Sequence, residues 1–457
     1  PTLIITDGTQ VWIEDGFRVS VGLNNAGSIA VAGAGTGVTF TSGSVAPVAG
    51  SWQGLQLGVN TVTANIDGLT LEYGGGNGFG GLYVSGASPV ITNSLFQMNS
   101  NDGIYASSGQ LDITDSMVMN NSLNGIYMAP AATFPTLGGP TFTGNTITAN
   151  GAAPLYVAAN FADQLEGATN AFGGNTLDQV FLHAGTVNHD ATWQAIDVPF
   201  EALGDLYVQG GVLPTLTLDD GVTVRFGSGS DFYIGYSDAG RLETLGGALG
   251  ITLTSNAIFP APGDWRGLWI GANDLGSSID GLRVEYGGEN GLGGLYVNGT
   301  TITVDSSSFD DNQGSGIYSA GATTVITNSS LSDNTSLGYY GDASSKLSNA
   351  GVSGAFAGNV VTGNVAPMVL PAFMGDRLDD SSTYAGNVND VIELQADTVT
   401  GSGNWRALDA DYFMSGDVFV QGPADPVLTI DDGVTVEFAS GVDFYIGNSD
   451  DGALMVD

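Results

Sequence analysis

The chain has 457 residues, 42% hydrophobic and 12% charged, with 71 glycines and no cysteine. Forty-seven acidic residues stand against eight basic ones, for a formal net charge of −39, and the basic residues form no run. That balance excludes nucleic acid as a partner, because phosphates need cations to neutralise them. It also disfavours anionic membrane surfaces, and the missing cysteines exclude disulfide and thiolate chemistry. No apolar run is long enough to predict a membrane-inserted helix. The start at Pro1 predicts a processed N-terminus.

The chain opens on Pro1-Thr-Leu-Ile-Ile-Thr-Asp-Gly8, which returns as Pro214 to Gly221 and again as Pro426 to Gly433. Landmarks inside the interval agree. Ser51-Trp-Gln-Gly-Leu55 matches Asp264-Trp-Arg-Gly-Leu268, and Gly68-Leu-Thr-Leu-Glu-Tyr-Gly-Gly75 matches Gly281-Leu-Arg-Val-Glu-Tyr-Gly-Gly288. Such self-similarity is the mark of a repeat architecture. It predicts tandem units over 1–213 and 214–425, with a third begun at 426–457.

A shorter period lies within each unit. Gly81-Leu-Tyr83, Gly103-Ile-Tyr105 and Gly125-Ile-Tyr127 are spaced by 22, as are Gly294-Leu-Tyr296, Gly316-Ile-Tyr318 and Gly338-Tyr-Tyr340. This period is too short for a packed helix pair and fits one solenoid coil. Between these motifs run apolar pairs five apart: Ile91/Phe96, Ile113/Val118, Val304/Phe309 and Ile326/Leu331. On one continuous strand an odd spacing puts the two residues on opposite faces. A corner at Asn93-Ser94, Asp115-Ser116 or Asn328-Ser329 restores both to the inside. Asparagines recur in register at Asn99, Asn121, Asn150, Asn312, Asn334 and Asn364. Stacked amides of this kind form an internal ladder from coil to coil.

Apolar-x-Asn-Ser-x-apolar, then Asn, then Gly-Ile-Tyr, resembles the right-handed β-helix repeats of the pectin-lyase-like superfamily, over roughly 66–157 and 279–370. The resemblance implies an all-β, right-handed parallel β-helix with coils of about 22 residues, of the kind found in large secreted surface and fibre proteins. It says little about activity, because enzymes, adhesins and passive stalks share the fold.

Lyases of this fold are expected to set basic residues and calcium-binding acids on one sheet face. Here the basic residues are scattered, and Gln53 stands where the second unit has Arg266. No carboxylate pair recurs with the spacing a hydrolase needs, so no catalytic residue is assigned and no cofactor is required. Calcium is the candidate ion, at the recurring acidic corners Asp219, Asp220, Asp431 and Asp432, since oxygen ligands at turns suit a hard cation. Asp-Gly is equally an ordinary turn. Tyr83, Tyr105 and Tyr127 form a stripe that either stacks on sugars or stacks on itself. The leading expectation is a structural extracellular solenoid, a segment of a fibre, stalk or surface layer joined to copies of itself through open β edges. A polysaccharide-binding adhesin and a carbohydrate-active enzyme are the alternatives.

Overall fold

The computed structural model describes residues 1–33, 35–135, 141–348 and 355–457. It is a parallel β-solenoid of about 18 coils. Two compact units are present: Pro1–Gly185 with Thr192–Leu203, and Thr186–Ala191 with Gly204–Asp457. The second takes in 426–457, the stretch that opens the third sequence copy.

In the first unit the coils contribute strands to three parallel sheets. Thr2–Thr6, Gly27–Ala32, Thr61–Asp67, Val90–Thr92 and Asp112–Thr114 pair in parallel. Gln10–Ile13, Val38–Ser42, Leu69–Glu72, Leu95–Gln97, Met117–Met119 and Thr146–Thr148 form the second sheet. The third carries the Gly-x-Tyr motifs on Gly80–Ala87, Asp102–Gln110 and Ile126–Met128. The second unit repeats the pattern, with its Tyr motifs on Gly293–Asn298, Ser315–Ala320 and Leu337–Gly341.

The five-residue spacing works through a corner. Ile91 and Phe96 lie on separate short strands and both are fully buried. Between them Asn93 takes a φ of +50°, and Asp115, Ser306 and Asn328 take nearly the same value at the equivalent corners. Asn and Asp tolerate this left-handed conformation better than most residues. Each buried side chain of this size contributes about 1.5–3 kcal/mol relative to exposure.

The corners carry two buried polar ladders. In the first, Asn99 Nδ2 donates to Asn121 Oδ1 at 2.9 Å, Asn121 to Asn150 at 2.9 Å, and Asn150 to Asn175 at 2.9 Å. Each carbonyl also accepts the backbone N–H of the preceding rung, at 3.0–3.2 Å. Asn312, Asn334, Asn364 and Asn387 do the same in the second unit. A second ladder runs beside it. Ser116 Oγ accepts from Ser94 N and Asn145 Oδ1 accepts from Ser116 N, while Ser307, Ser329, Asn359 and Ser382 are linked likewise in the second unit.

The glycine of Gly-x-Tyr is the complement of the Asn ladder. A Cβ on Gly81 would lie 2.5 Å from the Asn99 side chain, and one on Gly103 would lie 2.7 Å from Asn121 Nδ2. The co-recurrence of Asn and Gly in the sequence therefore records one close contact between successive coils.

Asn121→Ala removes the acceptor of the Asn99 backbone N–H and side-chain amide and a donor to the Phe96 carbonyl, while the Asn150 carbonyl keeps the backbone N–H of residue 121. Unsatisfied buried groups cost about 1–3 kcal/mol each before relaxation, so a net loss of about 2–4 kcal/mol is expected. Urea unfolding of the variant checks this, with the exposed Thr63→Ala as a control that stays within about 0.5 kcal/mol of the parent.

Candidate functional site

The outward positions of the Gly-x-Tyr sheet form an aromatic stripe. Tyr83, Tyr105, Tyr127 and Tyr156 sit in register on adjacent strands. All four are half-buried. Their ring centroids are 5.7, 5.1 and 5.1 Å apart, Phe79 stacks on Tyr83 at 4.4 Å, and Phe181 stacks on Tyr156 at 4.5 Å. Much of each ring face is thus covered by the next ring, an arrangement that ties coils together. His183 closes this stripe, edge-on to Tyr127 and bonded to the Met128 carbonyl at 2.8 Å. In the second unit the stripe runs Tyr207, Tyr233, Trp269, Tyr296, Tyr318, Tyr340.

The acidic corners are occupied by backbone amides. Asp220 Oδ1 accepts from Gly247, Leu249 and Gly250 N–H at 3.0, 3.1 and 2.6 Å. Asp7 holds Gly35, Thr36 and Gly37 of the first unit in the same way. These donors hold the Asp7 carboxyl below its ordinary range; at Asp220 desolvation is the largest single effect and pushes the carboxyl up, but the amide donors together outweigh it and leave it below its ordinary range. N–H groups converging on a carboxylate make an anion's environment, the reverse of a cation site. Asp219 lies on the preceding strand, and desolvation pushes its pKa up. Asp431 accepts from Asn404 Nδ2 at 3.0 Å, while Asp432 is exposed. Among the described residues no group of three or more His, Cys, Asp or Glu side chains is placed to hold a metal ion.

Two carboxylates on the Tyr-motif sheets differ from the rest. Asp102 is buried, with Oδ1 accepting Asn124 N–H at 3.0 Å and Nδ2 at 2.8 Å. Burial raises its pKa to about 6, against the opposing pull of those two bonds. The equivalent position in the second unit is Ser315, also buried. Asp231 is the second. Its side chain is 2% exposed and pairs with Arg266 at 3.1 Å. Desolvation raises its pKa, opposed by Tyr233 and Arg266.

Asp231 and Arg266 help line a cleft of about 370 Å³ with Tyr233, Trp269, Glu289 and Asn290. Three successive coils supply these residues, through the strands Asp231–Ile234 and Gly267–Ile270 and the turn that precedes Gly293–Asn298. The residues lie far apart in the chain and are drawn together by the coil period. The one trace of the cleft in the sequence is the exchange of Gln53 for Arg266 between units.

Asp102 gives a pH signature. A carboxyl whose pKa is higher folded than unfolded stabilises the fold below the unfolded value, and that contribution is lost as pH rises through the folded value. With a folded pKa of about 6, the stability of the parent relative to Asp102→Asn is expected to fall by about 2 kcal/mol between pH 4 and pH 7. Paired thermal melts across that range measure it. Asp220→Ala is expected to lower the melting temperature equally with and without millimolar calcium, because its lost partners are amides. Calcium-dependent stabilisation of the parent that the variant lacks would assign the carboxylate to a cation instead.

Residues 14–177 match the family model described as a right handed beta helix region. No curated protein matches the chain. The matched region occurs in enzymes such as pectate lyases and in non-enzymes. No helix among the described residues is long and apolar enough to cross a membrane. Parallel ladders run through both units, so the chain is an all-β parallel β-solenoid, and the match over 14–177 is consistent with a right-handed parallel β-helix.

Proposed function

We propose that the chain is a structural β-solenoid, a segment of an extracellular fibre, stalk or surface layer that associates with further copies through unpaired strand edges. The observation that carries this reading is what the two units share. Both hold a buried Asn ladder, a buried Ser/Asn ladder and an outward aromatic stripe. Every one of these devices bonds one coil to the next.

Two further features agree with it. A net charge of −39 on the chain keeps copies apart sideways by repulsion. Parallel strands ladder from coil to coil in both units, and a strand edge left unpaired is a template on which a further coil can add. Electron micrographs of purified protein over a series of salt and calcium concentrations test the proposal. Particles joined end to end, lengthening with protein concentration, are expected. Isolated short particles under every condition would overturn it.

A further inference from the structure

At the cleft of the second unit the two copies differ in chemistry. Its positions Asp231, Tyr233, Arg266, Trp269, Glu289 and Asn290 correspond, 213 residues earlier, to Arg18, Ser20, Gln53, Gln56, Gly76 and Asn77. The frame is the same in both: Phe232, Leu268 and Leu295 are in register in one unit as Val19, Leu55 and Leu82 are in the other. Only the Asn is kept, and in both units its Oδ1 caps the N–H two residues on. Coil stacking does not require the other five changes, because the first unit stacks without them.

We infer that this cleft binds a neutral saccharide, with a hexopyranose ring laid against Trp269 and Tyr233 and its hydroxyls held by Arg266, Glu289 and Asn290. Tyr233 stacks on Tyr207 at 5.0 Å and 13°, and Tyr296 lies 4.0 Å from Trp269. Between Tyr233 and Trp269 the stack opens: the rings lie 5.9 Å apart at 52°, and Tyr236 meets Trp269 edge-on at 83°. Both Tyr233 and Trp269 line the cleft at this opening. An aromatic face beside hydrogen-bonding groups suits a ligand with one apolar face and a polar rim.

Donors and acceptors alternate around the rings. Arg266 commits NH1 to Asp231 and keeps a side chain 47% exposed, so the ion pair aims the guanidinium without burying it. Glu289 is fixed by Gly229 N–H at 2.7 Å, with its carboxylate on the cleft wall. The Asn290 amide nitrogen is the second donor. One guanidinium faces two carboxylates, with Asp205 behind Asp231 at 3.0 Å from its N–H. This balance rejects uronates, phosphates and sulfates, and the guanidinium in the wall opposes a cation. The volume falls in the range of about 300–1,000 Å³ usual for small-ligand sites.

The test uses tryptophan fluorescence and calorimetry with cellohexaose, mannohexaose, laminarihexaose, chitohexaose and hexagalacturonate. At least one neutral oligosaccharide is expected to bind the parent at millimolar or lower concentration and to perturb the fluorescence. Trp269→Ala and Glu289→Gln should each weaken it about tenfold or more, whereas Gln56→Ala at the matching place in the first unit should leave it unchanged. Glu289 is exposed, so its variant decides the matter even where Trp269→Ala loses its melting transition. Absence of binding by all four neutral sugars, binding unchanged by Glu289→Gln, or tighter binding of hexagalacturonate would each overturn the inference.

Discussion

Each coil of this protein turns a corner whose backbone amides end inside, and the rest of the structure depends on giving those amides an acceptor. A buried N–H left alone costs about 1–3 kcal/mol, and a solenoid meets the problem once per corner per coil. The next coil solves it. Asn99 Oδ1 takes Gly74 N–H, Asn121 Oδ1 takes Asn99 N–H, and Asn150 Oδ1 takes Asn121 N–H. Because each rung serves its neighbour, the ladder fixes both the axial register and the residue type. The price is space: the amide fits only where the facing residue has no side chain, at Gly81, Gly103, Gly294 and Gly316.

The acidity of the chain follows a related logic on the outside. With eight cations among 47 acids, most carboxylates have no ionic partner available. Many instead accept hydrogen bonds from the adjacent coil. Asp67 receives Thr92 and Asn93, and Asp305 receives Thr327 and Asn328. Asp197 takes the Phe172 N–H as Asp409 takes that of Tyr384. Charge-assisted bonds of this type are about twice as strong as neutral ones, which offsets the repulsion between stacked coils. The same use explains Asp7 and Asp220, whose acidic corners suggest calcium when read as composition and turn out surrounded by amide donors.

Much of this was legible in the sequence because the fold is periodic. Spacings of 22 and five, the Asn positions and the long repeat each report a contact between neighbouring coils, and periodicity multiplies the signal. The Ser94–Ser116 ladder was less visible. Ser next to Asn reads as a turn former, and nothing in the residue type reveals that its hydroxyl accepts from the coil before. The cleft was hidden for a different reason. Asp231, Arg266 and Glu289 are brought together by coils of unequal length, and no local pattern records their meeting.

That contrast bears on how such a protein acquires chemistry. The inward positions and the corners are bound by the ladders, since any change there is felt by the coils on both sides. Outward positions are not. Ser20 and Gln56 in the first unit stand where Tyr233 and Trp269 stand in the second, on strands in the same register. Duplication thus preserves the stacking and leaves the outer face free to diverge. A ligand site in this architecture is therefore best sought where two copies of the repeat disagree on the surface while agreeing in the core, as they do at the cleft around Trp269.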